Sequence, residues 1–261
     1  MAANLSPSEQ LTYSTVRIEC ELQDGGLSTG TGFFFRFAEQ QAGHVPAIVT
    51  NKHVIEGAKR AKIHFSLAGV NGLPLTASHT AIIIDDFQSA WLPHPDSSID
   101  LCIMPIAPLL NQATQEGKRV FFITLEKSLI PLPEELAGLT ALEDIIMIGY
   151  PNGIWDSVNN MPIIRKGITA THPNLDYNGK KEFMIDAACF PGSSGSPVFL
   201  FNLGTYATKS GPTVVGSRIK LLGVLYGGPQ YTATGEIEIV DVPTQQKVVA
   251  FSRIPNNLGL A

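Results

Sequence analysis

The chain has 261 residues, 44% of them apolar and only 16% charged, which is enough apolar material for one large domain or two small ones with real cores. A net charge of −5, with no basic run longer than "KRAK", excludes nucleic acid as the main partner, because phosphate binding needs a concentrated positive field. No run of about 18 apolar residues is present that could span a membrane. The start "MAANLSPSEQLTY" has neither the basic nor the apolar region of a secretory signal, so the expected location is cytoplasmic.

The first hundred residues read as strands. "TVRIECEL" (15–22), "GTGFFFRF" (30–37), "VPAIVTN" (45–51) and "AKIHFSL" (61–67) are β-branched or aromatic runs, several alternating with period two. Between the third and fourth, "NKHVIEGAKR" suits one short helical turn, and "TAIIIDDF" and "SSIDLCIMPI" supply two more strands. The stretch 107–120, "APLLNQATQEGKRV", changes to helix formers ending in Gly-Lys and is the candidate connection between two halves. The second half gives strands in "RVFFITL", "DIIMIGYP", "PIIRKGITAT", "EFMIDAACF", "SPVFLFN", "KLLGVLYGG", "GEIEIVDV" and "KVVAFSRI". Glycine and proline, 24 and 18 in number, are spread along the chain, as many short strands with tight turns require. Cys20, Cys102 and Cys189 are an odd number with no CxxC spacing, and read as small buried hydrophobes rather than zinc ligands or redox groups.

Chemistry concentrates in "FPGSSGSPVF" (190–199). Alone it is a Gly/Ser turn between two strands. An acyl-transfer serine, however, needs an exposed hydroxyl and adjacent backbone N–H groups turned to a common point, and glycine permits that approach. Ser194 is then the candidate nucleophile, with the Gly192 and Ser194 amides as the oxyanion hole. A serine hydroxyl needs a base and the base needs an orienter. Of six histidines, His53 has the fixed setting, at a strand end opening a helical turn, although by itself it is as readily a capping or packing residue. Asp100 precedes an apolar run, which puts it at a strand edge facing inward; alone it reads as a turn residue. Together the three occur in the order His, Asp, Ser.

Seven strings carry a resemblance: "GTGFFF" (30–35), "IVTNKHV" (48–54), "DLCIM" (100–104), "IMIGYPNG" (146–153), "RKGITA" (165–170), "IDAACFPGSSGSPV" (185–198) and "LLGVLYGG" (221–228). In content and order they resemble the trypsin-like serine peptidases of the chymotrypsin fold, nearest the HtrA-type branch. The resemblance implies an all-β fold of two antiparallel barrels packed side by side. The peptidase unit would cover 13–250, with a first barrel over about 13–107, the connection over 107–120 and a second barrel over about 120–250. Residues 1–12 would be an N-terminal extension and 251–261 a tail, and too little chain follows residue 228 for a PDZ module.

The same resemblance implies a serine endopeptidase with His53 as base, Asp100 as orienter and Ser194 as nucleophile, without metal or organic cofactor. Its partner would be a polypeptide substrate, with a regulatory protein or domain possible and no membrane. The substrate would pair as a strand along "LLGVLYGG". Ala188, Cys189 and Phe190, opposite Leu225, Tyr226 and Gly227, would line the pocket for the side chain before the cut bond, and with no charge among them they favour apolar residues. Ser196 departs from the glycine often found there, and Ser193, a neutral residue before the nucleophile, argues against activation by a freed N-terminal amine. The alternatives are a non-catalytic peptide-binding module on the same fold, or an esterase using the same triad.

Overall fold

A computed structural model describes residues 5–40, 43–231, 237–241, 254–255 and 258–261. The first sheet is built from β1 (Thr15–Leu22), β2 (Leu27–Gln40), β3 (Gly43–Thr50), β4 (Ala58–Ala68), β5 (Pro74–Asp85), β6 (Leu92–Pro93), β7 (Cys102–Pro105) and β8 (Val120–Phe121). Its order is β5-β4-β1-β2-β3-β7-β6, with β8 also on β4. The second sheet uses β9 (Asp144–Gly149), β10 (Ile163–Thr169), β11 (Met184–Asp186) and β12 (Pro197–Asn202). A hairpin of β13 (Thr205–Ala207) and β14 (Thr213–Val215) follows, then β15 (Arg218–Val224), β16 (Gly227–Tyr231), β17 (Ile237–Asp241), β18 (Ile254–Pro255) and β19 (Leu258–Leu260). The order here is β15-β12-β9-β10-β11-β19-β16-β17, with β18 on β16, and the ladders in both sheets are antiparallel. Each sheet wraps its own core, but among the described residues neither is hydrogen-bonded into a closed cylinder.

Strand alternation explains why several strands are apolar on both faces. Phe34 of β2 enters the first core, while Phe33 and Phe35 enter a cluster between the sheets. Ile145 and Met147 of β9 enter the second core, while Ile146 and Ile148 meet Phe33, Phe35, Val49 and Phe199 between the sheets. Each such side chain, once enclosed, stabilises the fold by about 1.5–3 kcal/mol relative to exposure. The sheets are thereby fixed against one another along the strands that carry the candidate site.

Among the described residues there are four short α-helices: α1 (Pro7–Thr12), α2 (Lys52–Ile55), α3 (Ala107–Gln115) and α4 (Pro133–Ala137). α1 is capped by Ser6, whose side chain accepts from the Glu9 amide while the Glu9 carboxylate takes the Ser6 amide. Its Leu11 is buried between the sheets, so this part of the expected N-terminal extension is packed.

Several expected strands are shorter than their sequence pattern, and two of them show why. Of "RVFFITL" only Val120 and Phe121 form a strand, and they join β4 of the first sheet. The physical reason is that Phe122 packs against the first core and Leu125 is buried between the sheets. Leu125 then clips to β2 by donating to Phe34 O and accepting from the Arg36 amide. Of "EFMIDAACF" only Met184–Asp186 forms a strand, with Phe183 bonded to Ala261 beside it, because 187–190 leaves the sheet to approach the serine turn. The expected strand "KVVAFSRI" lies outside the described residues except for its last residue.

Candidate active site

Asn51, at the N-cap of α2, carries the chain from β3 into the turn that holds His53. Asp100 lies just before β7, which pairs with β3, so the two residues are brought together by a ladder. One carboxylate oxygen, Oδ2, is 2.5 Å from His53 Nδ1, and the other accepts from the His53 backbone amide at 3.2 Å. Asn51 Nδ2 donates to the Asp100 carbonyl at 2.8 Å, fixing the loop that bears the carboxylate. The side chains of His53 and Asp100 are 13% and 24% exposed, so the pair lies at the edge of solvent.

Ser194 lies in the turn before β12. Residues Phe190–Ser193 form a β-turn closed by the Ser193 amide on Phe190 O at 2.9 Å, with Pro191 and Gly192 at its centre and Gly192 at φ +84°. Pro followed by a left-handed glycine is the signature of a type II turn. The Asn152 amide donates to Pro191 O at 2.5 Å, and no peptide bond among the described residues is cis. In a trans peptide the C=O and N–H point opposite ways, so this bond turns the Gly192 N–H away from Asn152. A side chain at Gly192 would put its Cβ 2.6 Å from Tyr150 O. Asn152 itself has φ 51°, a left-handed setting that asparagine tolerates.

The serine turn is anchored across the sheets. The Thr31 amide of β2 donates to Ser194 O at 2.9 Å, and the Thr31 hydroxyl to Gly192 O at 3.0 Å. The Thr50 hydroxyl, at the end of β3, donates to Thr31 O at 2.7 Å. From its own sheet, Gly195 donates to Leu225 O at 2.8 Å. Ser196 is fully buried, and its Oγ lies where a Cβ on Gly149 would be, 2.1 Å away; the hydroxyl has no partner among the described residues.

The six expected pocket residues are split. Cys189 and Leu225 turn into the second core, with Cys189 Sγ and Leu225 Cδ1 meeting at Gly259. Ala188, Phe190 and Tyr226 are half-buried and Gly227 is buried. The Tyr226 hydroxyl donates to Glu182 Oε2 at 2.5 Å. Burial pushes the thiols of Cys20, Cys102 and Cys189 up to about 12.

The sequence reading missed four contributors: Thr31, Thr50, Asn152 and Arg165. The guanidinium of Arg165 on β10 donates to Ala188 O and, at 2.9 Å, to Ser193 Oγ. All four lie within recognised strings, but nothing in those strings assigns them a contact.

The chain belongs to the trypsin-like peptidase domain family, whose model matches residues 30–206, more than half its length. Its two-sheet architecture is the chymotrypsin-like fold of that family. Similar solved structures include a catalytically inactive tobacco etch virus protease complexed with substrate, 13% identical over 94% of this chain and 80% of that chain, TM-score 0.45. The HtrA-type protease AlgW with tripeptide is 16% identical over 95% and 78%, TM-score 0.41. An inactive form of Rv3671c from M. tuberculosis is 15% identical over 84% and 86%, TM-score 0.38. No curated protein matches the chain significantly. Among the described residues no helix is long and apolar enough to cross a membrane.

Proposed function

We propose that the chain is a serine endopeptidase acting through an acyl-enzyme, with Ser194 as nucleophile, His53 as general base and then acid, and Asp100 as the residue that orients the imidazole. The observation that carries this reading is the double hold of Asp100 on His53, one carboxylate oxygen at Nδ1 and the other at the backbone amide. A ring held at Nδ1 has its basic lone pair on Nε2, the tautomer that can take a proton from a hydroxyl.

Ser194 Oγ adds to the scissile carbonyl as its proton passes to His53 Nε2. The negative charge that develops on the carbonyl oxygen meets the N–H groups of Gly192 and Ser194, and the orientation of the Pro191–Gly192 peptide supports that role. Protonated His53 then delivers its proton to the departing amine, and water repeats the sequence to release the acyl group. The polypeptide substrate would lie as an added strand along 221–228, its side chain before the cut bond directed to Ala188, Phe190, Tyr226 and Gly227.

A fluorophosphonate probe tests the reading. Wild-type chain should be labelled and Ser194→Ala should not, while Ser193→Ala and Ser196→Ala should retain labelling. Turnover of a peptide as well as a small ester distinguishes an endopeptidase from an esterase. A folded chain that neither labels nor turns over either substrate would be a peptide-binding module instead.

A further inference from the structure

Gly167 of β10 allows an unusually close approach: a Cβ there would lie 2.3 Å from Asp186 O and 2.7 Å from the Ala187 Cβ. Residues 186–188 therefore run directly over the face of β10 that, two residues earlier, bears Arg165. From that face the guanidinium reaches two points flanking the serine turn, Ala188 O with Nη1 and Ser193 Oγ with Nη2. Ser193 is fully buried, and its hydroxyl also accepts from the Phe190 amide at 3.3 Å, across the turn that presents the Gly192 N–H.

The two acceptors call for donors, but nothing among the described residues balances the charge that brings them. Arg165 has no carboxylate partner among the described residues, and its Nε is buried without a hydrogen bond. Burial pulls its pKa down to about 10, so the cation persists at neutral pH in surroundings that disfavour it. An apolar side chain of similar length would fill the same space without that desolvation.

We propose that Arg165 is a positioning residue for the candidate reaction: by holding Ala188 O and the Ser193 hydroxyl together it keeps the Phe190–Ser194 turn in the shape that aims the Gly192 and Ser194 amides at the substrate carbonyl. The proposal rests on the endopeptidase reading for its effect on rate, but the ordering of the turn is measurable without turnover. A guanidinium suits the task because its two nitrogens span both acceptors at once, whereas an ammonium holds one.

The experiment compares wild type with Arg165→Met, Arg165→Lys and Ser193→Ala, reading Tm, kcat and KM on a peptide, and amide hydrogen exchange over 188–195. Arg165→Met should leave Tm unchanged or higher, lower kcat by about 10- to 100-fold with little change in KM, and speed exchange in the turn. Arg165→Lys and Ser193→Ala, each keeping part of the link, should fall between Arg165→Met and wild type. Unchanged exchange together with kcat within about twofold of wild type in Arg165→Met would overturn the proposal. So would a large fall in Tm with normal kcat per folded molecule, the mark of a merely structural residue. If wild type itself neither labels nor turns over substrate, the endopeptidase reading is lost, and the exchange rates still decide whether Arg165 orders the turn.

Discussion

Thr31 lies on β2 of the first sheet and Ser194 in the turn leading into β12 of the second, yet the Thr31 amide donates to the Ser194 carbonyl at 2.9 Å. Thr31 O in turn accepts from the Thr50 hydroxyl at 2.7 Å, and Thr50 lies three residues before His53. Two hydrogen bonds thus connect the strand leading to the candidate base with the peptide of the candidate nucleophile, so the distance between them follows the register of the two sheets.

Thr50→Val preserves the shape of that side chain and removes its donor. Stability should fall by about 1 kcal/mol, the net worth of a typical internal hydrogen bond. If the link sets catalytic geometry, kcat should drop severalfold while KM stays nearly constant. Denaturant titration and steady-state kinetics measure the two effects separately, and an unchanged kcat would show that the sheet contacts alone suffice.

Gly149 and Ser196 form a complementary pair, the serine hydroxyl filling the place of the missing Cβ. Gly149→Ala should therefore be severely destabilising, by several kcal/mol, since the new methyl also falls 2.7 Å from Thr31 Oγ1. Ser196→Gly should recover part of that loss in the double variant, and Ser196→Ala alone should be neutral or stabilise by up to about 1 kcal/mol because its buried hydroxyl lacks a partner. A double-mutant cycle with no coupling would contradict the contact.

His64 is enclosed by Trp155, with ring centroids 4.9 Å apart, and its side chain is 11% exposed. Its Nε2 lies 3.3 Å from Glu19 Oε1, but that carboxylate also holds Arg17. Burial, followed by the charges of Arg17 and Lys62, therefore prevails and lowers the His64 pKa from 6.5 to about 4. Between those values the unfolded chain binds the extra proton, so stability declines as pH falls from 6.5 towards 4. Thermal unfolding at a series of pH values should show a steeper acid loss of Tm in wild type than in His64→Gln; parallel curves would remove His64 from the account.

Specificity would follow from the walls of the proposed pocket. Ala188, Phe190, Tyr226 and Gly227 carry no carboxylate, and the Arg165 guanidinium bonds to Ala188 O. The Glu182 carboxylate beside this wall accepts from the Tyr226 hydroxyl, so a lysine or arginine entering there would have to compete for it or lose its hydration at a cost of several kcal/mol. A peptide library should return apolar residues before the cut bond. A profile dominated by Lys or Arg is the result that would refute this.

The candidate residues could be picked out because each setting is local, His53 at a strand end, Asp100 before an apolar run and Ser194 two residues after the type II turn glycine Gly192, although only their order and the resemblance joined them. β1 was legible to the residue for the same reason, since alternation is written into consecutive positions. The strand expected over 119–125 was overread because burial of Phe122 and Leu125 in two different clusters gives the same apolar run as a strand face. Arg165 was invisible for a different reason. Its contacts lie 23 and 28 residues away and depend on how 186–188 crosses β10, which only the fold defines.

The three enclosed thiols have a practical corollary. A thiolate is the reactive form towards alkylating agents and oxidants, and groups held near 12 present almost none of it at neutral pH. Iodoacetamide and reducing buffers should accordingly leave the three thiols untouched, so inhibitor chemistry becomes a discriminator: if the proposed mechanism holds, reagents that attack serine hydroxyls should silence this protein under conditions in which those that disarm cysteine-dependent hydrolases pass it by.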